Sequence, residues 1–181
     1  MRKILLSVWE VAEVLIVASA SIFIIYGFIA QPFLVQGASM EPNFYDGNYL
    51  IVDEITYRFR DPVRGEVVVF TNPNNESEFY IKRVIGLPGE RVEIDGEVVY
   101  IDGEQFKEDY LPKDIEFDSH VSFDLKEGEY FVMGDNRSHS YDSRSWGPLD
   151  KEKIVGAVRL RFWPPTELKF FFESDKVPVN K

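Results

Sequence analysis

Three stretches of the 181-residue chain bring together side chains that could act jointly on a bond. In Gln36-Gly37-Ala38-Ser39-Met40-Glu41-Pro42 a serine follows two small residues and precedes a proline that limits the backbone. That pattern describes a tight loop presenting a hydroxyl, although serine in a Gly/Pro loop is commonly just a turn residue. In residues 79–89 (FYIKRVIGLPG) a lysine sits inside an otherwise apolar strand. Strand alternation puts Tyr80, Lys82 and Val84 on one face and Ile81, Arg83 and Ile85 on the other. Lys82 on a half-exposed strand would snorkel its amine to water. Held out of water, it would lose affinity for its proton and could accept one from a hydroxyl near pH 7. A serine needs such a base, because its hydroxyl is a poor nucleophile at neutral pH. The third stretch, residues 134–144 (GDNRSHSYDSR), is almost wholly polar. Asp135, Arg137, Asp142 and Arg144 alternate in sign, which suits an ion-pair scaffold holding one loop shape; a solvated loop is the alternative. The calcium-loop pattern, with its Asp-rich run and terminal bidentate Glu, is not there.

Composition narrows the chemistry further. The chain has no Cys, which removes disulfides, cysteine-ligated metals and thiol catalysis. Only two histidines occur. His139 lies in the polar loop and His120 in a polar excursion, so both are expected to be exposed or structural and no His-based triad is supported. No cofactor and no metal is expected. The net charge of −11 argues against general affinity for nucleic acid.

Charge is distributed unevenly. Arg2, Lys3, Glu10 and Glu13 cancel, residues 14–40 carry no charge, and residues 41–181 hold 18 basic against 29 acidic side chains. The uncharged stretch VLIVASASIFIIYGFIA, extended back to Val8, provides the roughly 20 apolar residues that cross a bilayer as a helix. Arg2 and Lys3 place the N-terminus in the cytoplasm by the positive-inside rule. Ala18-Ser19-Ala20 looks like a secretory cleavage site, but the apolar run continues to Ala30, so a retained anchor is expected.

Beyond the anchor the period becomes that of strands. Residues 49–52, 66–70, 79–85, 91–94, 97–101, 130–133 and 154–162 are short β-branched or aromatic runs. Asp95-Gly96 and Asp102-Gly103 favour type I′ turns and make residues 91–106 a small meander. Residues 107–125 read as a polar excursion. The expected fold is mainly β: an antiparallel, barrel-like catalytic domain over residues 31–181 with a single transmembrane helix within residues 1–30. The C-terminal Arg161-Phe162-Trp163-Pro164-Pro165 and Phe170-Phe171-Phe172 fit either core packing or an aromatic collar at the lipid headgroups.

The three stretches, in this order after an N-terminal span, resemble those of bacterial type I signal peptidases, and the resemblance covers the anchor and essentially the whole body. It implies a membrane-anchored Ser/Lys endopeptidase that removes signal peptides from secretory preproteins after small residues at −3 and −1. Ser39 matches the nucleophile and Lys82 the general base. Ser140 matches the serine that orients the lysine, Asp142 and Arg144 the supporting ion pair, and Arg83 a neighbour of that pair. Gly37, Met40 and Tyr80 are the expected substrate contacts. The family further implies a β-rich catalytic domain outside the cell membrane, with residues 91–125 as a reduced accessory region. Many members carry serine at the position of Gly37 to help stabilise the oxyanion, so here backbone N–H groups would have to serve. From Ala30 to Ser39 the chain spans at most about 30 Å, which keeps the serine near the bilayer. Partners are then preproteins and the lipid bilayer, with no nucleic acid. A non-catalytic anchored β module would leave the lysine in an apolar strand unexplained, and a self-cleaving Ser/Lys repressor would need a DNA-binding domain.

Overall fold

The computed structural model describes residues 9–21, 30–112 and 115–171. Residues 9–21 are helical (α1) and largely exposed. Among the described residues no helix is long and apolar enough to cross a membrane. The expected span also takes in residues 8 and 22–29, which lie outside the described residues.

Twelve strands follow: β1 (Ala30–Leu34), β2 (Tyr49–Asp53), β3 (Val67–Asn72), β4 (Asn75–Gly86), β5 (Arg91–Gly96), β6 (Val98–Ile101), β7 (Glu104–Gln105), β8 (Ser119–Asp124), β9 (Glu129–Met133), β10 (Leu149–Asp150), β11 (Ile154–Trp163) and β12 (Lys169–Phe170). A short helix, α2 (Ser143–Trp146), precedes β10. The larger sheet has the order β1-β2-β11-β3-β4-β9-β10, with β12 added to β11. Its ladders are antiparallel. Among the described residues the sheet does not close, which corrects the barrel-like expectation. β1 and β4 approach through side chains, Phe33 meeting Phe79 edge-on at 5.5 Å between ring centroids, where a barrel would join them by hydrogen bonds. The gap left between these strands is the cleft described below.

The sheet centre is covered on both faces, and this explains the continuous apolar runs VVVF in β3 and YFVM in β9. Val67 and Val69 pack into one cluster with Val35, Met40, Phe44, Leu50, Val52 and Val158. Val68 and Phe70 turn the other way, toward Val84, Tyr130, Val132 and Leu149. A third cluster joins Ile85, Phe131 and Met133 to Val92, Ile94 and Val99 of the smaller sheet and to Phe117 and Leu125 flanking β8.

The smaller sheet has the order β7-β6-β5-β8. Its first three strands are the expected meander, but the two turns differ. Ile101 pairs with Glu104, and both Asp102 and Gly103 have positive φ, as a type I′ turn requires. At the other end Asp95 pairs with Val98, so the turn residues are Gly96 and Glu97. Only Gly96 is then at positive φ, the pattern of a type II′ turn with glycine first. The excursion expected over residues 107–125 contributes a fourth strand, β8, along the whole of β5.

Candidate active site

The serine loop runs from the end of β1 to β2. Its shape is set by Glu41 N–H to Ala38 C=O (3.1 Å), Phe44 N–H to Met40 C=O (2.9 Å) and Gly37 N–H to the Asp46 carboxylate (2.8 Å). Met40 and Phe44 are buried in the core beneath and fasten the loop there. β4 delivers the lysine. Its first residues are exposed, but from Lys82 to Gly86 it is buried. Cross-strand pairing sets Lys82 opposite Val68.

Lys82 Nζ donates to Ser39 Oγ at 2.7 Å and to the Ile81 carbonyl at 2.9 Å. The lysine is 4 % exposed. Burial penalises its charged form and outweighs the attraction of Asp142 and Asp135, so its pKa falls from 10.5 to about 8. Near neutrality this amine therefore exchanges its proton readily, within hydrogen-bond reach of a hydroxyl. The pair opens on a cleft of about 370 Å³ lined by residues 33–39 on one side and Phe79, Tyr80, Ile81 and Lys82 on the other.

The polar third stretch is largely buried. After β9 it folds back so that Asn136 N–H donates to the Ser39 carbonyl (3.0 Å) and Asn136 Nδ2 to the Ala38 carbonyl (3.1 Å). A Cβ on Gly134 would lie 2.2 Å from Ser140 Oγ and 2.4 Å from the Ser39 carbonyl oxygen, so only glycine allows this approach. The expected ion-pair scaffold is present, with partners sorted differently. Asp142 accepts from Arg144 Nε and Nη2, each at 2.8 Å, and from Gly134 N–H at 3.0 Å. Burial works to raise the Asp142 pKa, but the Arg144 hydrogen bond and charge, with the Gly134 N–H, bring it below the usual carboxylate value. Asp135, fully buried, pairs with Arg83 at 2.8 and 2.6 Å and accepts from Asn43 Nδ2 at 2.9 Å. Arg137 is matched by both oxygens of Glu108.

The structure places the other expected residues as follows. Gly37 and Tyr80 line the cleft. Met40 is 1 % exposed, faces the core and is not among the residues lining the cleft. Arg83 is bound to Asp135 and the Gly65 carbonyl, where the sequence suggested a neighbour of Asp142 and Arg144. Ser140 Oγ is buried and does not reach Lys82; the group it acts on is Asp142, whose pKa it helps to lower. His120 is exposed and pairs with Asp95 and Asp118. His139 is exposed too, yet it lines the cleft together with Tyr141. Asn136 and Gly134 meet the serine loop directly, although the sequence assigned them no role of their own. The aromatic C-terminal segment divides. Phe171 stacks on Phe44 at 5.0 Å, while Trp163 and Phe170 remain about half exposed. Phe172 lies outside the described residues.

A serine hydroxyl held by a buried lysine of lowered pKa at the mouth of a cleft defines a site of the serine-hydrolase class. The family model described as "Signal peptidase, peptidase S26" matches residues 8–163. Signal peptidase IB of Staphylococcus aureus (strain MRSA252) is 36 % identical, over 97 % of this chain and 98 % of that protein. A probable signal peptidase I-2 of Synechocystis sp. (strain ATCC 27184 / PCC 6803 / Kazusa) is 39 % identical, over 76 % of this chain and 65 % of that protein. A crystal structure of signal peptidase I from Enterococcus faecalis V583 aligns with TM-score 0.48 and 32 % identity, covering 54 % of this chain and 97 % of that one. The chain belongs to the S26 signal peptidase family, and with it to the serine endopeptidases.

Proposed function

We propose that the chain is a membrane-anchored endopeptidase that removes signal peptides from exported preproteins, with Ser39 as nucleophile and Lys82 as general base. The carrying observation is the 2.7 Å contact between Ser39 Oγ and the Nζ of a buried Lys82. In this reading neutral Lys82 takes the Ser39 proton as the hydroxyl attacks the scissile carbonyl. It then passes that proton to the leaving amine, and the acyl-enzyme is cleared by a water activated in the same way. The oxyanion is received by backbone, since Gly37 has no hydroxyl and its N–H is already donated to Asp46. We assign the N–H of Ser39 as one such donor.

Small residues at −3 and −1 follow from a cleft walled by apolar groups such as Phe33, Leu50, Val69 and Ile81, which excludes large side chains more readily than it selects among small ones. The apolar stretch ending at Ala30 supports a single-pass anchor with the N-terminus in the cytoplasm and the β body outside. β1 begins at Ala30, so the cleft is held a few residues from that stretch, where a preprotein would present the end of its own apolar segment. Asp142, Arg144 and Arg83 serve as support through the ion pairs described, and Ser140 as a supporting hydroxyl in the same loop.

The test is cleavage of a preprotein by Ser39→Ala and Lys82→Ala enzymes in detergent or vesicles. Each should lose essentially all activity while still folding, as a cooperative unfolding transition would show. Wild-type kcat/KM should rise with pH through a midpoint at about 8 and level off at higher pH, where Lys82 is neutral. Activity retained by either variant would remove the dyad, and a histidine-like profile lost in His139→Ala would move the base elsewhere.

A further inference from the structure

The segment between β7 and β8 belongs to neither sheet, yet it reaches the arginines of the catalytic loop. Glu108 takes Arg137 through both carboxylate oxygens, with the Nη1 contact at 2.7 Å, and also accepts the Tyr110 hydroxyl. The Tyr110 ring lies 4.1 Å beneath the Arg83 guanidinium. Phe117 lies 5.5 Å from both Arg137 and Arg144. The Tyr110 carbonyl accepts from Asn43 Nδ2 at 3.0 Å, and the same amide holds Asp135. On their far sides these arginines grip the site. Arg137 Nε donates to the Gly134 carbonyl (3.1 Å) and Arg144 Nη2 to the Arg137 carbonyl (2.6 Å). Between those two points runs Asn136, which holds the Ser39 and Ala38 carbonyls. None of Glu108, Tyr110 and Phe117 lines the substrate cleft.

We propose that Glu108, assisted by Tyr110, is a positioning residue for the reaction: it fixes Arg137, Arg137 fixes the 134–137 turn, and that turn fixes the carbonyls of the serine loop. The inference rests on the Ser39/Lys82 reading of the site. A buried bidentate pair orients as well as attracts, and here the orientation is transmitted through three hydrogen bonds to the backbone carrying the nucleophile. The hydroxyl and amine meet at a single contact, so displacement of the serine loop by about 1 Å would cost about a hundredfold in rate with little change in binding. The span that the sequence suggests is a polar excursion then becomes part of the catalytic framework.

The experiment compares Glu108→Gln with Glu90→Gln in the full chain. Glu90 forms an equally short buried pair with Arg64, in the same body but without contact to the catalytic loop. Both variants should lose stability to a similar degree. Glu108→Gln should lower kcat about ten- to a hundredfold with KM within about twofold of wild type, and move the pH–rate midpoint upward as Lys82 loses part of its enclosure. Glu90→Gln should leave kcat and the midpoint at wild-type values. Should Glu108→Gln fail to fold, Tyr110→Phe removes one hydroxyl and keeps the ring under Arg83. It should lower kcat several-fold at unchanged melting temperature. Equal losses of kcat in the Glu108 and Glu90 variants, or wild-type kcat in Tyr110→Phe, would overturn the proposal. Activity surviving in Ser39→Ala would refute the underlying site instead, so the two failures are distinguishable.

Discussion

Replacing Lys82 with methionine should abolish cleavage and, at neutral pH, make the protein more stable. The magnitude follows from burial. The amine has a pKa of 10.5 in an unfolded chain and about 8 in the fold. At about 1.4 kcal/mol per pH unit, that interval means the folded state carries a penalty of about 3 kcal/mol for the charged lysine at pH 7. Between the two values the unfolded chain binds the proton and the folded chain does not, so wild-type stability rises with pH through that window. By pH 10 the penalty has shrunk to under about 1 kcal/mol. Methionine carries no proton and fills similar volume. It does forfeit the hydrogen bonds to Ser39 Oγ and the Ile81 carbonyl, worth about 1 kcal/mol each in net terms. Lys82→Met should therefore be more stable than wild type by about 1 kcal/mol at pH 7, and less stable than it by about 1 kcal/mol at pH 10. Denaturant unfolding of both proteins at several pH values measures this, since every other titrating group cancels in the difference. A difference that stays constant from pH 7 to pH 10 would refute the argument, because Lys82 would then hold its proton as firmly folded as unfolded.

Two further substitutions probe the loop that holds the serine. Asp135→Asn leaves the Arg83 guanidinium buried without its counter-charge and should cost about 3–5 kcal/mol in unfolding free energy. Gly134→Ala drives a methyl into Ser140 and the Ser39 carbonyl, so cleavage should fall at least as steeply as stability, measured by activity per folded molecule.

The parts of this site legible in the sequence are those whose physics is local. A lysine between apolar neighbours on a strand signals burial, and a serine among Gly, Ala and Pro signals a tight loop. Both signals concern one element and its period. Partner choice is not local. The alternating charges at 135, 137, 142 and 144 suggest pairs within the loop, and Asp142 with Arg144 is such a pair. Asp135 and Arg137 find their partners 52 and 29 residues away, at Arg83 and Glu108. Met40 follows the serine in sequence, but the turn between them directs its side chain into the core. Two strands were hidden for different reasons. β1 is only five residues long and is interrupted by Gln31 and Pro32, so it shows no strand period of its own. The sequence SHVSFD of β8 is half exposed and polar on one face, and it becomes a strand because β5 offers it a full ladder.

The arginines of the third stretch have a role in the lysine's chemistry that is separate from shape. Asp142 and Asp135 both act to raise the Lys82 pKa, while Arg144 acts to lower it. A bare carboxylate at either position would hold the proton on the amine and quench the base. Neutralising each carboxylate with an arginine lets the loop use buried acids as backbone anchors while burial still brings the lysine to about 8. Arg144→Gln should then act twice in the same direction: it removes a positive charge that repels the Lys82 proton and exposes the Asp142 charge that attracts it. The Lys82 pKa rises, and with it the pH at which cleavage reaches half its maximum. Activity should fall most at pH 7 and recover toward wild type as pH increases, so the ratio of variant to wild-type kcat/KM climbs with pH. A ratio that is low but independent of pH would mean that Arg144 only holds the loop, and the electrostatic part of the argument would fail.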